Sequence, residues 1–172
     1  MNIIVAVCKK NNGIGSNGGI PWQIKEDMKY FKDTTSFKKH LVGENVVIMG
    51  RKTWESIPDK FKPLEKRVNI IISGTLNNNS VKEFKNTYVE NSLENALKFC
   101  KKNDQCNQNI FVIGGERLYK EAIIHKECHY LYITEIYKEY ECDTFFPEIE
   151  PNKFSVASVS KFKYNEKEKV YF

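Results

Sequence analysis

Four short apolar runs punctuate the chain: Ile3–Val7, Val46–Met49, Ile70–Ile72 and Ile110–Ile113. None of them alternates apolar with polar residues, so none reads as a strand with one wet face. Each ends at a small residue, in turn Cys8, Gly50, Ser73 and Gly114. Such runs suit strands buried on both faces, as in a parallel sheet covered by helices. Between them lie stretches of helical spacing: Ile24–Thr34, the short Lys52–Ile57, Leu93–Lys102 and Glu116–Ile124. Alternation of strand and helix predicts an α/β fold. The pattern changes at Tyr130, where Leu131, Ile133, Ile136 and Tyr137 begin a strand-rich tail expected to add antiparallel edge strands. Further β-prone residues follow from Asn152 to the final Val170-Tyr171-Phe172. Asn77–Ser80 and Lys101–Asn109 read as surface loops. No composition shift or internal repeat divides the chain. One domain over residues 1–172 is expected, with a trimmed end or a downstream fusion left open.

Composition narrows the class. With 41% hydrophobic and 28% charged residues the chain is globular rather than disordered. The net charge of +5 suits an anionic ligand. It also suits nucleic acid, but the lysines are scattered rather than striped, which argues against that partner. The five cysteines, Cys8, Cys100, Cys106, Cys128 and Cys142, are odd in number and have no C-x-x-C spacing, so neither a disulfide framework nor a zinc site is indicated. A reducing, cytoplasmic compartment is the simplest expectation. The first residues carry an apolar run without a charged leader or cleavage site, and no run reaches the length of a membrane span. Asn78-Asn79-Ser80 matches a glycosylation sequon, which without secretion is a chance match in a polar loop. His125-Lys126-Glu127-Cys128-His129 lacks the spacing of a zinc helix and a third ligand, so no metal is expected.

Asp27 is the most informative position. On a helix starting near Ile24, residues 24, 27, 28 and 31 share a face, and three of them are Ile24, Met28 and Phe31. Lys25, Glu26, Lys29 and Lys32 occupy the other side. A carboxylate therefore sits on the stripe expected to be buried. First-turn helix chemistry or a structural ion pair would explain it. So would a carboxylate held in an apolar pocket to bind a polar ligand or assist proton transfer.

The glycines need sorting. Gly13-Ile14-Gly15-Ser16-Asn17-Gly18 matches G-x-G-x-x-G literally, but Lys9–Asn12 separate it from the strand and Gly19-Ile20-Pro21-Trp22 follows it. A dinucleotide fingerprint needs the glycines to open a helix directly after the strand, so a mobile loop over a site is the better reading. Gly114-Gly115 does follow a buried strand directly and precedes Glu116-Arg117-Leu118-Tyr119. Gly50-Arg51-Lys52-Thr53 repeats that arrangement after another strand. Two such turns, one with adjacent cations, point to a phosphate-rich ligand across the strands' carboxyl ends.

These pieces resemble the dihydrofolate reductase family along nearly the whole chain. The resemblance runs from Ile4-Val5-Ala6-Val7 through Gly13-Ile14-Gly15, Pro21-Trp22, and Asp27 with Tyr30-Phe31. It is most specific in the unbroken block from Val47 to Pro58, V-I-M-G-R-K-T-W-E-S-I-P. It continues through Pro63-Leu64, Arg67, Ile72-Ser73, Ile113-Gly114-Gly115, Tyr119, Tyr132-Ile133-Thr134, Asp143-Thr144 and Phe146-Pro147.

The resemblance implies an eight-stranded, mainly parallel twisted sheet with flanking helices and an antiparallel C-terminal edge. It implies that NADPH reduces dihydrofolate to tetrahydrofolate, and that antifolate inhibitors bind the same cleft. Asp27 would grip the pterin, with Thr134 behind it, and Trp22 would stand beside them as a third catalytic residue. Arg67 would pair with the substrate's α-carboxylate. Val5, Ala6, Met28, Phe31, Ile57, Leu64 and Ile113 would wall the pocket, with Tyr119 near the nicotinamide face. Ile14 to Trp22, including Gly15, Gly18 and Ile20, would be the mobile loop closing over the nicotinamide, against Ala6. Gly50, Arg51, Lys52 and Thr53 would hold cofactor phosphates, with Ser73, Gly74 and Thr75 at the 2′-phosphate. Gly114, Gly115, Glu116, Arg117, Leu118 and Tyr119 would take the pyrophosphate region.

Three features depart from many relatives. Ile20 stands at a loop position often held by Met or Leu, where it is expected to serve equally. Gly74 replaces a polar or basic side chain, which leaves more of the NADPH preference to Arg51, Lys52 and Ser73. Ser36–Glu44 is longer than in the shortest members and is assigned no function. A monomer is expected unless a thymidylate synthase is fused downstream. A pyrimidine-type reductase of riboflavin synthesis shares the fold, but Asp27 and Arg67 argue against it. A non-catalytic RNA-binding module would want an aromatic and basic recognition motif, which is missing.

Overall fold

The computed structural model describes residues 1–38, 42–106 and 108–172. Residues 39–41 of the long segment before the second buried strand therefore lie outside the described residues, as does residue 107 of the loop read over Lys101–Asn109. The elements in chain order are β1 (Asn2–Cys8), β2 (Gly13–Gly15), α1 (Lys25–Ser36), β3 (Asn45–Gly50), α2 (Arg51–Ser56), β4 (Arg67–Ile72) and β5 (Thr87–Glu90). Then follow α3 (Leu93–Lys102), β6 (Ile110–Gly114), α4 (Glu116–Ile124), β7 (Tyr130–Ile136), β8 (Thr144–Phe145), β9 (Tyr164–Asn165) and β10 (Val170–Tyr171).

Six strands form the central sheet in the order β5-β4-β3-β6-β1-β7, and every neighbouring pair is parallel. The four apolar runs lie at its heart. Val46, Val47, Ile48 and Met49 of β3 and Val68, Ile70 and Ile71 of β4 are fully buried, as strands with helices on both faces should be. Helices α3 and α4 cover one face with Leu93, Ala96, Leu97, Leu118, Ala122 and Ile123. Trp54 of α2 packs with Val47, Met49 and Ile71 in a second cluster. Trp22 and Ile24, just before α1, pack with Cys8, Ile136 and Val170 in a third.

The eight-stranded sheet with an antiparallel C-terminal edge is corrected by this arrangement. Tyr130–Ile136 runs parallel to β1, in register from Asn2↔Tyr130 to Cys8↔Ile136. The physical cause is the α4 crossover, which carries the chain back to the start of the sheet, and a returning crossover delivers a parallel strand. The antiparallel pairs stand apart from the central sheet, as the two-stranded ribbons β2–β8 and β9–β10. The β-prone residues before β9 join no ladder: Val156 and Val159 are each 81% exposed. Strand β5 was missing from the sequence reading because Thr87-Tyr88-Val89-Glu90 is short and alternating, as suits an edge strand with one half-covered face.

Candidate functional site

Helix α1 begins after Ile24, which caps it without a side-chain hydrogen bond, so Asp27 is not spent as an N-cap. Ile24 is buried, Asp27 is 9% exposed and Phe31 is half-buried, but Met28 lies 51% exposed. The buried stripe instead follows steps of four, from Asp27 through Phe31 to Thr35, which is fully buried. Burial pushes the Asp27 carboxyl above the usual carboxylate range, and a hydrogen bond with Thr134 pulls it partly back. Thr134 reaches it because β7 runs in register with β1, where Ala6 is its partner. Trp22, 5% exposed, packs in the same cluster as Ala6 and Ile24. Its buried indole Nε1 donates to nothing among the described residues, which leaves a donor available inside the site.

Arg67 occupies the other end of the stripe. It is 5% exposed, and no carboxylate lies within ion-pair distance of it among the described residues. Its Nε donates to the Glu65 carbonyl at 2.9 Å and one Nη to the Thr35 hydroxyl at 2.8 Å, while the guanidinium lies 5.9 Å from the Phe31 ring centre. Burial pushes its pKa down to about 10, still charged at neutral pH. A buried cation without a counter-ion is costly unless an anion arrives. Thr35 is itself fixed: its hydroxyl donates to the Phe31 carbonyl at 2.7 Å, and Asn45 Nδ2 donates to its carbonyl at 2.9 Å. Asn69 ties down the preceding loop by accepting from the Leu64 amide and donating to the Leu64 carbonyl, both at 3.0 Å. Sequence reading missed Thr35 and Asn69. The signal for Thr35 was a polar residue eight positions after Asp27 on the same helical face. The two ends of the stripe are about 12 Å apart at 1.5 Å per residue. One end offers a carboxylate and the other an unpaired guanidinium, with an aromatic ring between them.

The glycine turns meet at the carboxyl ends of β3 and β6. Gly114 has φ +136, and a Cβ there would lie 3.1 Å from Thr53 Oγ1; a Cβ on Gly115 would lie 3.3 Å from the same atom. Gly50 faces the Gly115 amide and the Gly114 carbonyl across the gap. The Gly114–Gly115 peptide is cis. Bare Cα atoms thus let the two turns and the Thr53 side chain close up on one another. Beyond them Leu118 and Tyr119 are buried, and the Tyr119 hydroxyl donates to the Ile4 carbonyl at 3.0 Å. Leu118 points into the core, so only its backbone faces the turn. Arg117 is exposed, and Glu116 pairs with Lys120 while accepting from the Phe145 amide.

Cations and hydroxyls flank the turns. Lys52 is exposed; Arg51 pairs with Glu55 at 2.7 Å on the helix surface. Ser73 Oγ accepts from the amides of Thr75 and Leu76, at 3.1 and 2.9 Å, and lies 3.3 Å from the Thr75 hydroxyl, so it is spent largely on shaping its own turn. Gly74 is exposed with open space around its Cα.

The glycine-rich stretch forms no helix, and the structure gives its glycines another reason. Asn17 (φ 51) and Gly18 (φ 76) make the two-residue turn of a tight hairpin, with paired hydrogen bonds between Ser16 and Gly19. A Cβ on Gly13 would lie 2.4 Å from Cys142 Sγ, and one on Gly15 would lie 2.5 Å from Thr144 Oγ1. These glycines let the hairpin lie against residues 142–145, and Asp143 fastens it by accepting from the Asn17 amide at 2.8 Å and donating its own amide to the Gly15 carbonyl at 3.0 Å. Gly13→Ala is expected to destabilise the protein by about 1–3 kcal/mol through overpacking. Adding Cys142→Gly should restore most of that loss in a denaturant melt; an equal loss in the double variant would contradict the packing explanation.

A parallel sheet with a buried carboxylate, an unpaired buried arginine and a two-turn backbone cradle at its strand ends defines an α/β enzyme built for a small, elongated ligand with a phosphate-rich companion. The family profile for dihydrofolate reductase matches residues 1–172. The dihydrofolate reductase of Heliothis virescens is 43% identical over 159 residues, covering 91% of this chain and 84% of its own. That of Drosophila melanogaster is 42% identical over 153 residues, covering 89% and 81%. A bifunctional dihydrofolate reductase-thymidylate synthase of Daucus carota is 38% identical over 155 residues, covering 88% of this chain and 29% of its own length. The chain belongs to the dihydrofolate reductase family, whose members reduce dihydrofolate to tetrahydrofolate with NADPH.

Proposed function

We propose that this chain reduces 7,8-dihydrofolate to 5,6,7,8-tetrahydrofolate in the cleft bounded by α1, β1 and β7, and that the residues of that cleft divide the work by charge. The observation that carries the reading is the single helix face that holds a buried carboxylate, Asp27, and leads to a buried guanidinium, Arg67, without a counter-ion among the described residues. Dihydrofolate has the complementary order: a pterin rich in N–H donors at one end and a glutamate carboxylate at the other. Asp27 binds the pterin N–H groups, with Thr134 orienting the carboxylate. Arg67, steered by Thr35 and Glu65, receives the α-carboxylate. Phe31 lies between them, with Val5, Ala6, Ile57, Leu64 and Ile113 as apolar walls and the exposed Met28 at the mouth.

NADPH would lie along the turns at Gly50, Gly114 and Gly115, where bare Cα atoms let backbone and the Thr53 side chain come close together. When bound, it supplies the hydride. Every other contribution belongs to the chain. The walls orient the pterin and exclude water from it. Asp27 favours a protonated pterin electrostatically, and the Trp22 Nε1 donor can hold a water beside it for proton delivery at N5. Arg51 and Lys52 face the cofactor phosphates. Among the described residues no helix is long and apolar enough to cross a membrane; a monomer working in the cytoplasm, with antifolates as competitors for the cleft, completes the proposal.

The assay is NADPH oxidation with and without dihydrofolate. Oxidation that requires dihydrofolate supports the reading. Oxidation with an aminopyrimidine ribose substrate and not with dihydrofolate would support the riboflavin-type reductase instead. The cofactor arm has its own test. Replacing Arg51 and Lys52 together by Ala should raise the Michaelis constant for NADPH at least tenfold and that for NADH little. The wild-type preference should weaken with added salt, because exposed charges are screened. A double variant that still prefers NADPH as strongly as wild type would place the 2′-phosphate site elsewhere.

A further inference from the structure

A thiol pair lies in the core layer beneath α3 and α4. Cys100 is in the last turns of α3, and Cys106 closes a short 3-10 turn that follows it. Two successive turns fold the second onto the first: the Asn103 amide donates to the Cys100 carbonyl at 3.4 Å, and the Cys106 amide to the Asn103 carbonyl at 2.9 Å. The Asn103 side chain also accepts from the Gln105 amide at 3.0 Å, which holds the bend. Both cysteines are free, and they are only 6% and 5% exposed. Yet both line a surface cavity of about 260 Å³, together with Lys101, Asn103, Asp104 and Ile110. A second cavity of about 530 Å³ shares Asn103 and Asp104 with it. The two thiols therefore face each other and a space that a small molecule can enter.

We propose that Cys100 and Cys106 form a thiol–disulfide exchange site for small-molecule disulfides, with Cys106 attacking and Cys100 resolving. The two thiols pack in one cluster and act on each other: the neighbouring Cys100 side chain lowers the pKa of the Cys106 thiol, and the neighbouring Cys106, with burial, raises that of Cys100. This is the asymmetry that an attacking and a resolving thiol need. In the first step the Cys106 thiolate bonds to one sulfur of the disulfide RSSR and expels RS⁻. In the second, the Cys100 sulfur attacks the Cys106 sulfur of the mixed disulfide, its proton passes to solvent base, and the second RS⁻ leaves. Two protein thiols are oxidised by two electrons, and RSSR is reduced to two thiols. The chain's other close pair is less suited: Cys8 also meets Cys142, but Cys8 is fully buried and lines neither of these cavities.

Lysines divide the two cysteines, so trypsin reports the bond. Cleavage after Lys98, Lys101, Lys102 and Arg117 places Cys100 and Cys106 on separate peptides, residues 99–101 and 103–117. The folded protein is incubated with glutathione disulfide, the remaining thiols are blocked, and the digest is read by mass spectrometry without reductant. An unchanged far-ultraviolet circular dichroism spectrum confirms that the protein stayed folded. The expected result is the two peptides joined, with two hydrogens lost from the chain and restored by dithiothreitol. Cys100→Ser should instead accumulate a stable glutathione adduct on Cys106, and Cys106→Ser should leave Cys100 at least tenfold less modified. Linkage that forms only in denaturant, or that joins Cys8 to Cys142 instead, would overturn the proposal. So would equal modification of Cys100 with and without Cys106.

Discussion

Asp27→Asn is expected to lower dihydrofolate-dependent turnover at neutral pH by at least two orders of magnitude while leaving the protein as stable as before or more so. The two effects share one cause. Burial raises the folded-state pKa of Asp27 above its unfolded value of about 4. Between those two values the native state holds more protons than the unfolded state, so stability falls as pH rises through that window. At neutral pH the full cost of a buried charge is present, and the uncharged amide removes it. The Thr134 hydroxyl can donate to the Asn carbonyl as it does to the carboxylate, so that partner is kept. Turnover behaves oppositely because the charge is what favours a protonated pterin. The rate deficit should shrink at acid pH, where free dihydrofolate is itself more protonated. Melting temperatures at pH 7 and below pH 4 check the first half: the variant's advantage should vanish at the lower pH. An unchanged rate near pH 7 would remove Asp27 from the mechanism.

Arg67→Leu is expected to weaken dihydrofolate binding by roughly 2–5 kcal/mol, about 30-fold to several-thousand-fold, as for a buried charge that loses its partner. The guanidinium is already aimed by Thr35 and Glu65, so little ordering remains to be done when the ligand arrives. A pterin that lacks the glutamate tail never reaches Arg67 and should bind wild type and variant alike. Comparing the two ligands by titration separates recognition from folding. Equal losses for both would mean that Arg67 supports the structure around Phe31 and Thr35 rather than the tail.

Much of this was legible in the sequence because buried parallel strands advertise themselves. Continuous apolar runs that end at small residues located β1, β3, β4 and β6, and helical spacing gave α3 and α4 their observed limits. Asp27 stood out for the same reason, as a charge on an apolar stripe. What stayed hidden depended on partners distant in sequence. Tyr130–Ile136 has strand composition, but its direction is set by the α4 crossover, which no local pattern encodes. Gly13 and Gly15 matched a nucleotide fingerprint, whereas their need for a bare Cα comes from Cys142 and Thr144, more than a hundred residues away. Met28 followed the helical period yet lies open, because the buried face of α1 is narrow and steps from Asp27 to Phe31 to Thr35. Ser73 was read as a ligand donor, but most of its hydrogen-bonding capacity goes to the Thr75 and Leu76 amides. Arg67 was identified through family resemblance; its missing counter-ion, the physical reason to expect an anion, could be seen only in three dimensions.

The central claim is that the cleft beside Asp27 brings dihydrofolate and NADPH together for direct hydride transfer. Single-turnover reaction of dihydrofolate with NADPH deuterated at the transferred position of C4 tests it most directly. The expected result is tetrahydrofolate with deuterium at C6 and a slower transfer than with unlabelled cofactor. Product without deuterium at C6, or NADPH consumed at the same rate when dihydrofolate is absent, would contradict it.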